Sequence, residues 1–181
     1  MRHLYKILMI GESGVGKTTF LLRFQTGKYV PATSTVGLKP IIIGLRNGCG
    51  DIVNLQIWDF GGQEHFRFFQ DSFCRGAHGA IIVFDTTDNF SFIKIGGFWL
   101  NFVKRNAGSI PVILVGAKID LLDRRLIYEE NVELLYRENN EIKKIIFLSS
   151  KTSPPEVIVS VFQDLVDFID KEGIKAWTMS K

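Results

Sequence analysis

The sequence predicts an α/β domain built on a six-stranded, mostly parallel sheet, with one antiparallel edge hairpin strand and helices on both faces. Three observations lead to it. Short β-rich apolar runs alternate along the chain with helical stretches, the order that a parallel sheet with crossover helices requires. Two of those runs flank Arg46-Asn47-Gly48-Cys49-Gly50-Asp51, where Asn-Gly favours a reversal and so sets one strand pair antiparallel. The chain of 181 residues suits a single domain, long enough to bury roughly 70% of the surface that its unfolded form exposes.

Strands are expected over residues 4–10, 41–45, 52–58, 80–85, 111–116 and 145–148, each a short apolar run. Helices are expected over residues 16–26, 63–74, 90–106, 126–139 and 155–172. The last has the clearest spacing. Ile158, Val161, Phe162, Leu165, Phe168 and Ile169 share one stripe, with Asp164, Asp167 and Asp170 away from it, which marks a core-facing surface and not a cofactor site. Gly96-Gly97 falls inside the third helix, where each Gly costs about 1 kcal/mol relative to Ala, so close packing is the expected reason for it. No repeat or linker interrupts residues 1–173, and residues 174–181 read as a short, frayed C-terminal tail.

With 46% hydrophobic and 23% charged residues, the composition is that of a soluble globular protein and excludes disorder and low-complexity sequence. No apolar run reaches the ~18 residues that a membrane-spanning helix needs. Residues 1–6 lead straight into a glycine motif and position 2 is not Gly, so neither a signal peptide nor N-myristoylation is expected, and the protein is placed in the cytoplasm. Cys49 and Cys74 stand apart from each other and from any partner at metal-ligand spacing, and read as reduced thiols. The net charge of +3 sums 22 basic and 19 acidic residues spread along the chain; with no basic cluster interleaved with aromatics, no nucleic acid partner is expected.

Directly after the first strand comes Gly11-Glu12-Ser13-Gly14-Val15-Gly16-Lys17-Thr18, a full match to the phosphate-binding loop GxxxxGK[ST] in its strand-loop-helix setting. An ordinary glycine-rich turn is the competing reading, and it explains neither the lysine nor the setting. Glycines let backbone N–H groups curl around phosphates, and the helix N-terminus adds partial positive charge. Lys17 bridges the outer phosphates, and Thr18 ligates Mg2+. Ser13, Gly14, Val15, Gly16, Lys17, Thr18 and Thr19 are therefore candidate nucleotide contacts on a P-loop NTPase three-layer fold. The loop selects a nucleoside triphosphate without choosing the base. Asp59 emerges at the C-terminal end of the third strand, where open α/β sheets bind ligands, and is the candidate acidic metal ligand. Gly62 is positioned to offer its N–H to the terminal phosphate, and Gln63 to orient an attacking water as the catalytic residue.

The order of phosphate loop, isolated Thr35, Asp59-Phe60-Gly61-Gly62-Gln63, Ala117-Lys118-Ile119-Asp120 and Ser149-Ser150-Lys151 resembles the Ras superfamily of small GTPases over nearly the whole chain. Leu55-Gln56-Ile57-Trp58-Asp59 and Arg75-Gly76-Ala77-His78-Gly79-Ala80 are Rab-like, whereas Gly61 and the spacing from Gly27 to Thr35 are Arf-like. The resemblance implies that Thr35 contacts magnesium and the terminal phosphate, and that Tyr29 lies over the guanine or the phosphates. It also implies that Lys118 packs on the base, while Asp120 accepts hydrogen bonds from the guanine N1–H and exocyclic amine. Adenine lacks that donor pair. Ser149, Ser150 and Lys151 resemble the last base-contacting loop.

The family asparagine that ties the base-reading loop to the phosphate loop is Ala117 here. Its loss removes hydrogen bonds worth about 1 to 3 kcal/mol and is expected to weaken guanine affinity without reversing selectivity. The sequence shows neither a C-terminal prenylation cysteine nor a lipidated N-terminal helix, so membrane association is expected only through a partner.

These features imply a switch that cycles between GTP and GDP with slow, Mg2+-dependent hydrolysis. Loops at residues 28–38 and 59–70 then recognise effector, exchange-factor and GTPase-activating proteins. Phe60, Phe66, Phe68 and Phe69 read either as a partner surface or as core, and Arg67 is a loose candidate for a cis arginine. Two other readings stay open: a partner-binding module with a locked, structural nucleotide, and an ATP-using phosphotransferase, for which a lid and an acceptor-binding acid pair are missing.

Overall fold

The computed structural model describes residues 3–32, 40–48, 50–60 and 73–179. Its strands are β1 (His3–Ile10), β2 (Ile41–Arg46), β3 (Ile52–Asp59), β4 (Gly79–Asp85), β5 (Val112–Ala117) and β6 (Ile142–Phe147). They form one sheet in the order β2-β3-β1-β4-β5-β6. β2 runs antiparallel to β3, from Ile41 opposite Ile57 to Arg46 opposite Ile52, and all the other pairs are parallel. Among the described residues the helical elements are α1 (Lys17–Thr26), α2 (Asn89–Lys94), a π-helical turn (Ile95–Trp99), α3 (Leu100–Ala107), a 3-10 turn (Leu122–Arg124), α4 (Glu129–Glu138) and α5 (Pro155–Met179).

The two-residue period of a strand splits the core into two layers. Ile7, Met9, Ile81, Val83, Ile113 and Val115 point to one face and pack with Phe20 and Leu21 of α1 and Ile158, Val161, Phe162 and Leu165 of α5. Leu8, Ile10, Ala80, Ile82, Phe84 and Leu114 point to the other and meet Ile95, Trp99, Leu100, Val103 and Val132. The predicted stripe on the last helix is thus core. Its acids act as tethers: Lys144 pairs with Asp164 at 2.6 Å, the Gly48 N–H donates to Asp167 at 3.3 Å, and Asp170 accepts from the Tyr5 hydroxyl and from Asn47 Nδ2.

Several element ends differ from the expectation. β6 begins three residues early, at Ile142, because Lys143 and Lys144, polar in the sequence, sit on an edge strand and pair with Glu172 and Asp164. α4 starts at Glu129 and not at residue 126: the N–H groups of Leu126 and Ile127 both donate to the Thr86 carbonyl, which keeps that segment non-helical. α5 continues past residue 172 to Met179, since one glycine at position 173 costs a helix only about 1 kcal/mol. The hairpin forms, but its reversal spans Asn47 to Asp51, with Gly50 at φ +86° and the Asn47 side-chain oxygen accepting from the Asp51 N–H at 2.9 Å. Of the expected helix at 63–74, residues 63–72 lie outside the described residues, as does Cys49; Cys74 is buried.

The third helix holds the largest departure. At its centre the Leu100 N–H donates to the Ile95 carbonyl, a five-residue turn that inserts one residue more than an α-turn and leaves both Ile95 and Trp99 buried. A Cβ on Gly96 would stand 3.1 Å from Leu135 Cδ1, so this glycine lets α4 approach. A Cβ on Gly97 meets nothing within 4 Å, and close packing does not explain it. Gly97→Ala is therefore expected to raise stability by about 0.5–1 kcal/mol, roughly 2 °C in thermal unfolding, while Gly96→Ala yields no such gain.

Candidate functional site

The carboxyl ends of β1, β3 and β5 converge on one edge of the sheet. β1 hands over to the phosphate loop at Gly11, whose φ is +138° and whose backbone runs so close to β4 that a Cβ would lie 2.1 Å from the Val83 carbonyl oxygen. Only glycine fits both the angle and the space. Gly14 and Gly16 are also left-handed, at φ +76° and +106°, and α1 begins behind Gly16 without a side-chain cap. A helix N-terminus without a side-chain cap is suited to an anion.

Lys17 lies at the base of this loop, 5% exposed. Its ammonium donates to the carbonyls of Gly11 at 2.8 Å and Glu12 at 2.6 Å. Burial pushes its pKa down from 10.5 to about 8, against the opposing pull of the Asp59 and Glu12 carboxylates. The Thr18 hydroxyl donates to Asp59 Oδ2 at 2.6 Å, which brings together the two candidate metal ligands from α1 and β3. The Phe60 N–H bonds the Met9 carbonyl at 3.0 Å and fixes the end of β3 beside β1.

The base-reading residues follow β5. The Ala117 carbonyl accepts from both the Thr86 N–H, at 3.1 Å, and the Thr86 hydroxyl, at 2.9 Å. Lys118 then adopts φ +64°, and its ammonium spans to the Gly14 carbonyl at 2.8 Å and to Asp85 at 2.6 Å. This side chain physically joins the base loop to the phosphate loop. The Ser149 hydroxyl accepts from the N–H groups of Lys151 and Thr152 at 3.0 and 3.2 Å, and so shapes its own turn. Val15, Gly16, Thr19 and Tyr29 on one side, and Ala117, Lys118, Asp120 and residues 149–151 on the other, line a single hollow of about 260 Å³.

Sequence reasoning missed four contributors: Leu121, which lines that hollow; Asp85 and Thr86, which anchor the base loop; and Trp99, whose indole donates to Glu12 at 3.1 Å. All four act across the fold or beside a motif, and no local pattern signals them. Thr35, Gly61, Gly62, Gln63, Phe66, Arg67, Phe68 and Phe69 lie outside the described residues. Phe60 takes one of its two expected readings: fully buried beside Leu8 and Ile10, it belongs to the core and not to a partner surface.

The model of the Ras family matches residues 6–171. The chain belongs to the Ras family. It is 43% identical over 130 residues to Ras-related protein RIC1 of Oryza sativa subsp. japonica, covering 71% of this chain and 63% of that relative. To Ras-related protein RABD2a of Arabidopsis thaliana it is 44% identical over 133 residues, covering 72% of this chain and 64% of the relative. The match to GTP-binding protein YPT1 of Saccharomyces cerevisiae is longer, 35% identical over 185 residues, covering 99% of this chain and 87% of that one. The chain thus spans just under two thirds of the length of the first two relatives. These Rab- and Ypt-type relatives agree with the Rab-like residues of this Ras-family chain.

The depressed Lys17 gives a signed pH effect. Between pH 8 and 10.5 the unfolded chain holds a proton here that the folded, ligand-free chain has lost, so this group makes stability rise with pH across that window. An anion bound beside Lys17 restores its positive charge. Calorimetry of polyphosphate binding near pH 9, in buffers of different ionisation enthalpy, is expected to show proton uptake that is absent at pH 6.5 and absent in Lys17→Met.

Proposed function

We propose that this Ras-family protein binds guanine nucleotides and hydrolyses GTP slowly, using the nucleotide state to control two recognition loops. One observation carries the reading: Asp120 and Lys118 stand in the same hollow as Gly16 and Thr19 of the phosphate loop and its helix, so a base and its phosphates can be held at once. The relative named GTP-binding protein YPT1 supports the choice of nucleotide.

In this reading the phosphates lie over the loop between Gly11 and Thr18, and Lys17 leaves its carbonyl partners for the phosphate oxygens. Asp120 takes the guanine N1–H and amine, donors that adenine does not present. Thr18 and Asp59 fit Mg2+: a hydroxyl and a carboxylate already in contact are hard oxygen donors. Among the described residues no group of three acidic, His or Cys side chains could cage a metal unaided, which suits an ion that completes its shell with water and phosphate. When bound, the ion would neutralise charge developing on the phosphates. Thr35 and Gly62 are assigned to hold the two loops against the terminal phosphate, and Gln63 to orient the water. Effector, exchange-factor and GTPase-activating proteins would read those loops, the last supplying the arginine that speeds hydrolysis.

Mass spectrometry of the small molecule that copurifies is expected to find GDP or GTP; an adenine nucleotide overturns the reading. Asp120→Ala is expected to weaken GDP binding about 100-fold or more by calorimetry. Gln63→Leu is expected to retain GTP while lowering single-turnover hydrolysis about tenfold or more, and unchanged turnover removes Gln63 from the mechanism.

A further inference from the structure

We propose that Trp99 is a positioning residue for nucleotide retention, acting on the phosphate loop through Glu12; this rests on the guanine nucleotide reading above. Trp99 closes the π-helical turn and is 2% exposed. Its indole N–H reaches across 87 sequence positions to donate to Glu12 Oε1 at 3.1 Å. A buried indole N–H requires an acceptor, and a carboxylate is a strong one.

Glu12 is the second residue of the phosphate loop, and it is gripped from the other side as well. Its carbonyl accepts from Lys17 Nζ at 2.6 Å, and its carboxylate favours the Lys17 ammonium. One residue therefore links the indole to the cation assigned to the phosphates. Trp99 itself is held firmly. The bond from the Leu100 N–H to the Ile95 carbonyl sets the wide turn, and the ring packs edge-on to Phe98 and Phe102 at 4.9 and 5.9 Å. The π-turn, which nothing in the nucleotide chemistry requires, is the feature that places Trp99 there.

A loop with glycines at positions 11, 14 and 16 has a large backbone entropy to lose when it wraps a ligand. Pinning Glu12 before the ligand arrives removes part of that loss, which is preorganisation. Cutting the pin should leave the fold intact and shorten the residence of the nucleotide.

The test measures release of a fluorescent GDP analogue from the full chain by competition, for wild type, Trp99→Phe, Glu12→Ala and the double variant. Trp99→Phe keeps an aromatic ring in the core and removes the donor. Each single variant is expected to release about tenfold faster, the scale of a lost hydrogen bond to a charged group, and the double variant no faster than either. Independent effects of the two residues would make the double variant about a hundredfold faster, and a role for Trp99 in core packing only would lower the unfolding temperature of Trp99→Phe without speeding release; either result overturns the inference. Should Trp99→Phe not fold, Glu12→Ala decides the matter: it must accelerate release and also shift the Trp99 indole N–H resonance, and failure of either overturns it. A wild-type chain that takes up no GDP analogue overturns the reading of the site itself, whereas uptake with unchanged release in Trp99→Phe overturns this inference and leaves that reading standing.

Discussion

At Gly11 the chain must leave β1 and turn into the loop while its backbone lies against the Val83 carbonyl of the neighbouring strand, with room for a hydrogen and none for a methyl group. Everything at this edge of the sheet inherits its position from that contact. Because the loop starts tight against β4, its carbonyls at Gly11 and Glu12 face inward and receive the Lys17 ammonium. Because α1 then begins at Lys17, Thr18 falls within reach of the Asp59 carboxylate at the end of β3. The parallel pairing of β1 with both β3 and β4 puts these strand ends side by side, so a sheet register becomes a chemical site.

A second strand end joins the first through Lys118. Its stem crosses the hollow and its ammonium is shared between a carbonyl of the phosphate loop and Asp85 at the end of β4. The residue before it, Ala117, has no polar side chain to offer, and the strand end is held instead by two hydrogen bonds from Thr86 to the Ala117 carbonyl. The base loop is thus supported from β4, through Asp85 and Thr86, and not by the side chain at position 117.

Much of this was legible in the sequence because the informative patterns are local. GxxxxGK[ST], an acid at a strand end and a two-residue period in apolar strands need no knowledge of what lies across the fold. The sheet and the phosphate side of the hollow followed from them; its base side followed from the family resemblance, apart from Leu121. What the sequence hid depends on partners distant along the chain. Lys143 and Lys144 look like loop residues until Glu172 and Asp164 pair with them. Leu126 and Ile127 look helical until the Thr86 carbonyl draws their N–H groups away. The glycine pair in the third helix read as a cost offset by close packing, since a π-turn has no signature in periodicity. Phe60 sat in a segment rich in aromatics, and only its burial against Leu8 and Ile10 separates it from a surface residue.

The strand at one end of the sheet has a bearing on how copies of the chain meet in concentrated solution. Among the described residues β6 has a neighbour on one side only, so its other flank is a template on which a foreign strand would otherwise dock. Lys143 falls at a bulge in this short strand, and it and the adjacent Lys144 both find their counter-charges on the last helix of the same molecule. A stranger docking there would have to bury or displace hydrated ammonium groups. The feature that concealed this strand from sequence reading therefore also guards the molecule against edge-to-edge aggregation.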